Sequence, residues 1–186
     1  MKKNSETFLL ILLWIAIGVM GRLIPHLPNV TPLTSLCLVA GALFSRRLAV
    51  TLMLIIAALS NVLLAYTYGY AVWGWWSLFT YSGFIAMIGL GTRLSSELPL
   101  TKTWMYTLGS SLGFWLWTNF GTWLVSGMYP QSLAGFTACY VAGLPFLRNA
   151  MLGTTTWLLI LLGGIYAVRI LTAPRAWQSL SKDTLI

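Results

Sequence analysis

Apolar residues run along this chain in blocks, separated by short clusters of charge, proline or aromatic side chains. The blocks fall at about 8–24, 33–45, 48–66, 76–92, 103–127 and 150–171. Most approach the roughly 20 residues that an α-helix needs to cross a bilayer. The pattern predicts an all-α integral membrane protein, one domain over 1–186, built as a six-helix transmembrane bundle. Outer loops are expected at 25–32 and 128–149. The second block is short, which leaves it room to be tilted or partly buried.

The breaks between blocks carry their own information. Pro25, Pro28 and Pro32 crowd the first one, and proline removes a backbone donor and restricts its neighbour, so an extended, structured loop is expected there. Tyr66, Tyr68, Tyr70, Trp73, Trp75 and Trp76 follow the third block and read as an interfacial aromatic belt. Met128-Tyr129-Pro130-Gln131 ends the fifth. Pro145 precedes Arg148-Asn149 at the expected start of the last. The first block resembles the core of a signal peptide, but Arg22-Leu23-Ile24-Pro25 is a poor cleavage site, so the block is read as a retained helix. Gly109 and Gly113, and Ala138 and Ala142, lie one helical turn apart and predict close helix packing.

Charge assigns the sides. With six spans, Lys2/Lys3, Arg46/Arg47, Arg93/Lys102 and Arg169/Arg175/Lys182 fall on one side, together with the acids Glu6, Glu97 and Asp183. Basic residues concentrate on the cytoplasmic side of multi-pass proteins, so both termini are expected to be cytoplasmic. Only Arg22 and Arg148 reach the outer ends of spans. Composition agrees: of 186 residues 58% are hydrophobic and 8% charged, and eleven Lys+Arg against three Asp+Glu give a net charge of +8. Soluble domains carry about 25% charged residues. The cations are scattered between apolar blocks rather than gathered on a wet face, which excludes nucleic acid as a partner and leaves the lipid bilayer.

The chemical inventory excludes much else. No carboxylate is expected inside the membrane for proton or sodium coupling. One histidine and the two isolated cysteines Cys37 and Cys139 form no metal-ligand cluster, and no phosphate-cradling glycine loop ends in lysine. No metal or other cofactor is implied, and no enzyme is expected, since His26 would have to act alone. The outer half is more distinctive. Arg22 leads into the proline loop beside Asn29, while Arg148-Asn149 stands near Pro145. Asn119 interrupts a span, sharing a helix face with Trp115 and with Thr122 or Trp123. Arg22, Asn29, Trp115, Asn119, Trp123, Arg148 and Asn149 are therefore the candidate substrate-binding residues, with His26, Tyr129 and Tyr140 nearby. Aromatic walls, amides and cations without an acid suit a small neutral or anionic solute with a ring.

Three stretches carry a resemblance. Gly21-Arg22-Leu23-Ile24-Pro25-His26-Leu27-Pro28-Asn29-Val30-Thr31-Pro32, Thr118-Asn119-Phe120-Gly121-Thr122-Trp123 and Ala142-Gly143-Leu144-Pro145-Phe146-Leu147-Arg148-Asn149 resemble an uncharacterised bacterial integral membrane family. That family is in turn similar to the substrate-binding S components of energy-coupling factor (ECF) vitamin transporters. The resemblance implies an S-component-like fold in the bacterial inner membrane that takes up a vitamin-like solute from the outer face. Asn29, Asn119 and Arg148-Asn149 match the ligand-enclosing positions. It also implies an ECF-type coupling protein and ATPases as partners. The first helix departs from the family's Ala-x-x-x-Ala docking surface, having Met20 four residues after Ala16, and a solitary S-like protein is the other expectation. Two further readings stand beside uptake. One is a structural or assembly protein binding partner helices or lipid through the Gly109/Gly113 face. The other is an enzyme on a lipid carrier, with Arg22 and Arg148 on one phosphate.

Overall fold

The computed structural model describes residues 2–172, with side chains from 11 to 170. Arg175, Lys182 and Asp183 of the expected cytoplasmic tail lie outside these residues. Six helices follow in order: α1 (Lys2–Leu23), α2 (Leu33–Leu43), α3 (Arg46–Tyr68), α4 (Trp76–Gly91), α5 (Leu100–Val125) and α6 (Leu133–Thr172). Among the described residues the fold is thus all-α. Two helices, Arg46–Tyr68 and Leu133–Ile170, are long and apolar enough to cross a membrane, and three shorter apolar helices accompany them.

The element boundaries depart from the sequence pattern in two informative places. The second block is a helix of 11 residues, about 16 Å long at 1.5 Å per residue, against a hydrocarbon layer of about 30 Å. It is instead the centre of the bundle: Leu33 and all residues from Ser35 to Gly41 are buried. The last block was expected to begin at 150 after an outer loop at 128–149. In the structure α6 starts at Leu133 and runs for 40 residues with Pro145 inside it, leaving 126–132 as the connection. Proline deletes one backbone donor and disfavours a helix interior, yet α5 grips α6 on both sides of it. Tyr140 Oη donates to the Leu116 carbonyl (2.8 Å) and Trp115 Nε1 to that of Gly143 (2.9 Å). Beyond the proline, Ser111 Oγ donates to Thr154 Oγ1 (3.0 Å) and Trp104 Nε1 to Thr155 Oγ1 (3.1 Å). Tertiary packing overrides the local signal.

Local chemistry sets the other ends. Ser45 caps α3 by accepting from the Leu48 N–H, and Gly69 closes it with φ of 70°, the left-handed cap that glycine adopts without a Cβ penalty. At the opposite side of the bundle Arg169 donates to the Ser96 carbonyl (2.6 Å) and the Glu97 carbonyl (3.3 Å), tying α6 to the 92–99 connection. The α2–α4 contact near Gly41 and Gly91 brings the exposed Arg46 and Arg47 to that same end, with Arg93 and Lys102. Of the cations that the sequence assigned to one side, Arg46, Arg47, Arg93, Lys102 and Arg169 therefore share one end of the bundle. The perimeter between the ends exposes large apolar side chains such as Leu12, Leu13, Leu54, Leu59, Leu78, Leu152 and Leu159.

The tightest internal contact is between α2 and α4. A Cβ on Gly91 would fall onto the Leu38 carbonyl oxygen and lie 3.0 Å from Gly41 Cα, and one on Gly41 would fall onto the Ile88 carbonyl. Neither obstacle is a side chain that can turn away. Gly89, two residues earlier, has nothing within 4 Å of the equivalent position. Thermal unfolding in detergent should show Gly91→Ala losing about 2 kcal/mol or more through overpacking. Gly89→Ala should be neutral or slightly stabilising, because alanine is the better helix former.

Candidate functional site

The last turn of α1 ends in Arg22, where a cation is favoured by the partial negative charge of the helix C-terminus. Its Nη1 donates to Ser60 Oγ (2.6 Å) and Asn61 Oδ1 (2.8 Å), both on α3. Ser60 is held in turn by donating to the Ile56 carbonyl (2.6 Å). Asn61 Nδ2 donates to the Val72 carbonyl and to Tyr81 Oη, each at 3.2 Å. One guanidinium thus joins α1, α3, the 69–75 connection and α4. All of these partners are neutral, and no described carboxylate pairs with it.

The first connection folds back over this cluster. The Val30 N–H donates to the Leu27 carbonyl (3.0 Å), closing a turn with Pro28 at its first corner and Asn29, at φ of 67°, at its second. Asparagine tolerates the left-handed region better than most residues, so Pro-Asn is a sequence suited to this bend. The chain then seats Val30 against Gly153 of α6 and Pro32 against Gly21 of α1.

Beneath the turn lies a cavity of about 510 Å³ between α1, α2, α4, α5 and α6. Four of the sequence-predicted residues line it: Arg22, Asn29, Trp115 and Asn119. Thr122 and Tyr129, expected nearby, do so as well, while His26 and Tyr140 do not. The exposed Asn29 and Met128 mark its rim, and Phe84, Phe114 and Phe146 supply apolar wall. Among the described residues no carboxylate lines it. A smaller cavity of about 120 Å³ adjoins it, and Arg22, Leu33, Thr80 and Phe84 line both.

Asn119 combines two roles that the sequence left open. Its Nδ2 donates to the Trp115 carbonyl of its own helix (2.8 Å), and its Oδ1 faces Gly143, where an added Cβ would come within 2.5 Å. It therefore packs the α5–α6 contact while bordering the cavity. Trp123 sits elsewhere: Nε1 donates to the Pro130 carbonyl (3.1 Å), its carbonyl accepts from Gln131 Nε2 (2.6 Å), and its ring meets Phe136 edge-on. It fastens the α5–α6 turn and does not line the cavity.

Arg148 and Asn149 also fall outside the lining, contrary to the sequence expectation. For Arg148 the reason is the continuity of α6. Gly143, Phe146 and Ala150 line the cavity at helical spacing, and at 3.6 residues per turn position 148 points away from that face. Arg148 lines neither of the cavities that Arg22 lines, so the lipid-carrier reading loses its two-cation clamp. His26 is exposed, with Nδ1 at 2.8 Å from the Leu27 carbonyl. Cys37 and Cys139 are both buried free thiols; Cys37 belongs to α2, and Cys139 borders the cavity.

Sequence reasoning missed Thr80 and Thr34 on the lining, which look like ordinary polar residues in apolar blocks. The Ser60-Asn61 pair was visible as the polar interruption of the third block, but nothing in the sequence tied it to Arg22. The Gly109/Gly113 face behaves differently from expectation. No atom lies within 4 Å of a Cβ built on either residue, so the pair packs against nothing in the described fold. It borders instead a groove of about 370 Å³ between α4 and α5, where the buried Ser110 hydroxyl has no partner.

The chain belongs to DUF6580, a family of unknown function whose model matches residues 2–176. No curated protein and no solved structure matches it.

Asn61→Ala should remove an acceptor from a half-buried guanidinium and cost about 2 kcal/mol, since hydrogen bonds to charged groups contribute about 1.5–3 kcal/mol. Chemical or thermal unfolding of the purified protein measures it. Thr137→Val, which deletes an exposed bond to its own helix, should change stability by no more than about 0.5 kcal/mol.

Proposed function

We propose that this protein spans the bacterial inner membrane several times and binds a small neutral or anionic, ring-bearing, vitamin-like solute from the outer face, in the manner of an S component, for uptake. The single observation that carries the reading is the cavity: about 510 Å³, walled by aromatic rings, furnished with an arginine and two asparagines, and without a described carboxylate. Its size falls in the range of small-molecule sites, which are mostly apolar with a few polar groups that orient the ligand.

Several features support the membrane part of the reading. Large apolar side chains are exposed around the perimeter, where soluble monomers rarely carry extended apolar patches, and the cations Arg46, Arg47, Arg93, Lys102 and Arg169 share one end. By the positive-inside tendency that end is cytoplasmic, which puts the 24–32 and 126–132 connections and the cavity rim outside. In this topology those two connections border the entrance, and the solute leaves inward when the bundle rearranges. Ala16 and Met20 are both exposed on α1. That face is available to an ECF-type coupling protein with its ATPases, and a solitary S-like protein would leave it to lipid.

A second reading has its own observation. The open Gly109/Gly113 face and the unpartnered Ser110 hydroxyl favour a structural or assembly protein that packs a partner helix or lipid against α4 and α5, because small residues let backbones approach closely.

Ala142 borders the cavity, and Ala142→Trp fills it. Mass spectrometry of small molecules that co-purify with the detergent-solubilised protein should find a ring-bearing compound in the wild type and not in this variant. The same compound in both, or none in the wild type, would overturn the uptake reading. Loss of a bound lipid or protein on Gly109→Leu alone would favour the second.

A further inference from the structure

Resting on the uptake reading, we infer that the solute carries a single carboxylate, and that the Nε–Nη2 edge of Arg22 and the Thr80 hydroxyl hold it.

The inference begins with the donors of Arg22. Both Nη1 hydrogens are directed to neutral acceptors, Ser60 Oγ and Asn61 Oδ1. Among the described residues the Nε and Nη2 groups have no partner. These two lie on the same side of the guanidinium, and their parallel N–H bonds match the two oxygens of a carboxylate. Ser60 and Asn61 thus fix the ring plane and leave its bidentate edge unused. Arg22 borders both cavities, so the edge belongs to the site that a solute would fill.

Thr80 is the second group. Threonine and serine hydroxyls in these helices regularly donate to a carbonyl of the preceding turn, as Thr67, Ser82, Thr103, Thr107, Thr118 and Thr122 do. Among the described residues the Thr34 and Thr80 hydroxyls on the lining make no such bond, and of the two only Thr80 lies with Arg22 on the shared wall of the two cavities. The first turn of α2 adds a field of the same sign: no side chain caps it, and Thr31, Leu33 and Thr34 bring it to the larger cavity. A helix N-terminus favours negative charge.

Charge balance selects the class of ligand. A solute entering the cavity displaces the water that solvates the free edge. A neutral solute would leave a guanidinium desolvated and unpaired, which is costly in an apolar site. A monoanion cancels the one described cation on the lining. A dianionic phosphate would bring a second charge with no described partner. The aromatic walls then take the ring.

Matched ring compounds differing only in their acid group provide the test: benzoate with benzamide, nicotinate with nicotinamide, and indole-3-acetate with indole-3-acetamide. Binding to the full-length protein in detergent is read by calorimetry. At least one acid should bind about tenfold more tightly than its amide, the difference between a charged and a neutral partner. Arg22→Gln should abolish that preference. Arg22→Lys, which keeps the charge but not the bidentate edge, should weaken the acid severalfold. Thr80→Val, which breaks no protein hydrogen bond, should also weaken the acid and spare the amide. Equal binding of acid and amide, or an acid preference that survives Arg22→Gln, overturns the inference. Amide binding that Ala142→Trp removes would show that the cavity takes a solute while the carboxylate assignment fails. No binding by any of the six compounds overturns the assignment as well. The uptake reading then stands or falls on the co-purified compound.

Discussion

The meeting of α2 and α4 at Gly41 and Gly91 puts two helix backbones in direct contact, and the rest of the bundle is arranged around it. With no Cβ at either position the helices approach until each glycine touches the other helix's carbonyls. That approach lets an 11-residue helix bury almost all of its length. Leu36, Leu38 and Val39 are each no more than 1% exposed, so α2 acts as the core around which the longer helices stand. Ser35 Oγ extends the grip by donating to the Thr154 carbonyl of α6 (2.8 Å). A core built on a helix whose C-terminus lies at the end bearing Arg46 and Arg47, and which is too short to reach the other, leaves space above its N-terminus. The cavity occupies that space, with the proline-bearing connection at its rim.

Polar groups inside the bundle follow a consistent rule. Serine and threonine hydroxyls are mostly satisfied within their own turn or by the facing helix, as Ser111 is by Thr154, because an unmet hydrogen bond in apolar surroundings is expensive. Departures among the described residues include the Ser110 hydroxyl at the α4–α5 groove, and the Thr34 and Thr80 hydroxyls and the free Arg22 edge at the cavity. A chain that satisfies its polar groups nearly everywhere makes such departures informative about where other molecules belong.

Much of the architecture was legible in the sequence because apolar block length is a strong signal. Six elements, the proline loop, and the grouping of Arg46, Arg47, Arg93, Lys102 and Arg169 at one end could all be read from spacing. The fate of Pro145 could not. A proline after Ala142-Gly143-Leu144 reads as a break, and only the contacts from Tyr140, Trp115 and Trp104 across the α5–α6 seam carry the helix through. Because that helix continues, Arg148 turns away from the cavity, whereas Arg22, Asn29, Trp115 and Asn119 line it. The Arg22–Ser60–Asn61 cluster links residues 38 and 39 positions apart, and single-sequence patterning carries no information at that separation. Gly109 and Gly113 had the spacing of a packing motif, but spacing does not say whether the partner lies within the same chain.

The enclosed position of α2 also has a consequence in time. Ser35 finds its partner carbonyl at Thr154, 119 residues later in the chain. At synthesis rates of roughly 5–20 residues per second, that separation corresponds to roughly 6–24 s. Throughout this interval α2 has been made but the helix that completes its surroundings has not. Until then this apolar helix lacks most of the neighbours that bury it, so the nascent chain must shelter α2 against α1 and α3 until α4 and then α6 arrive.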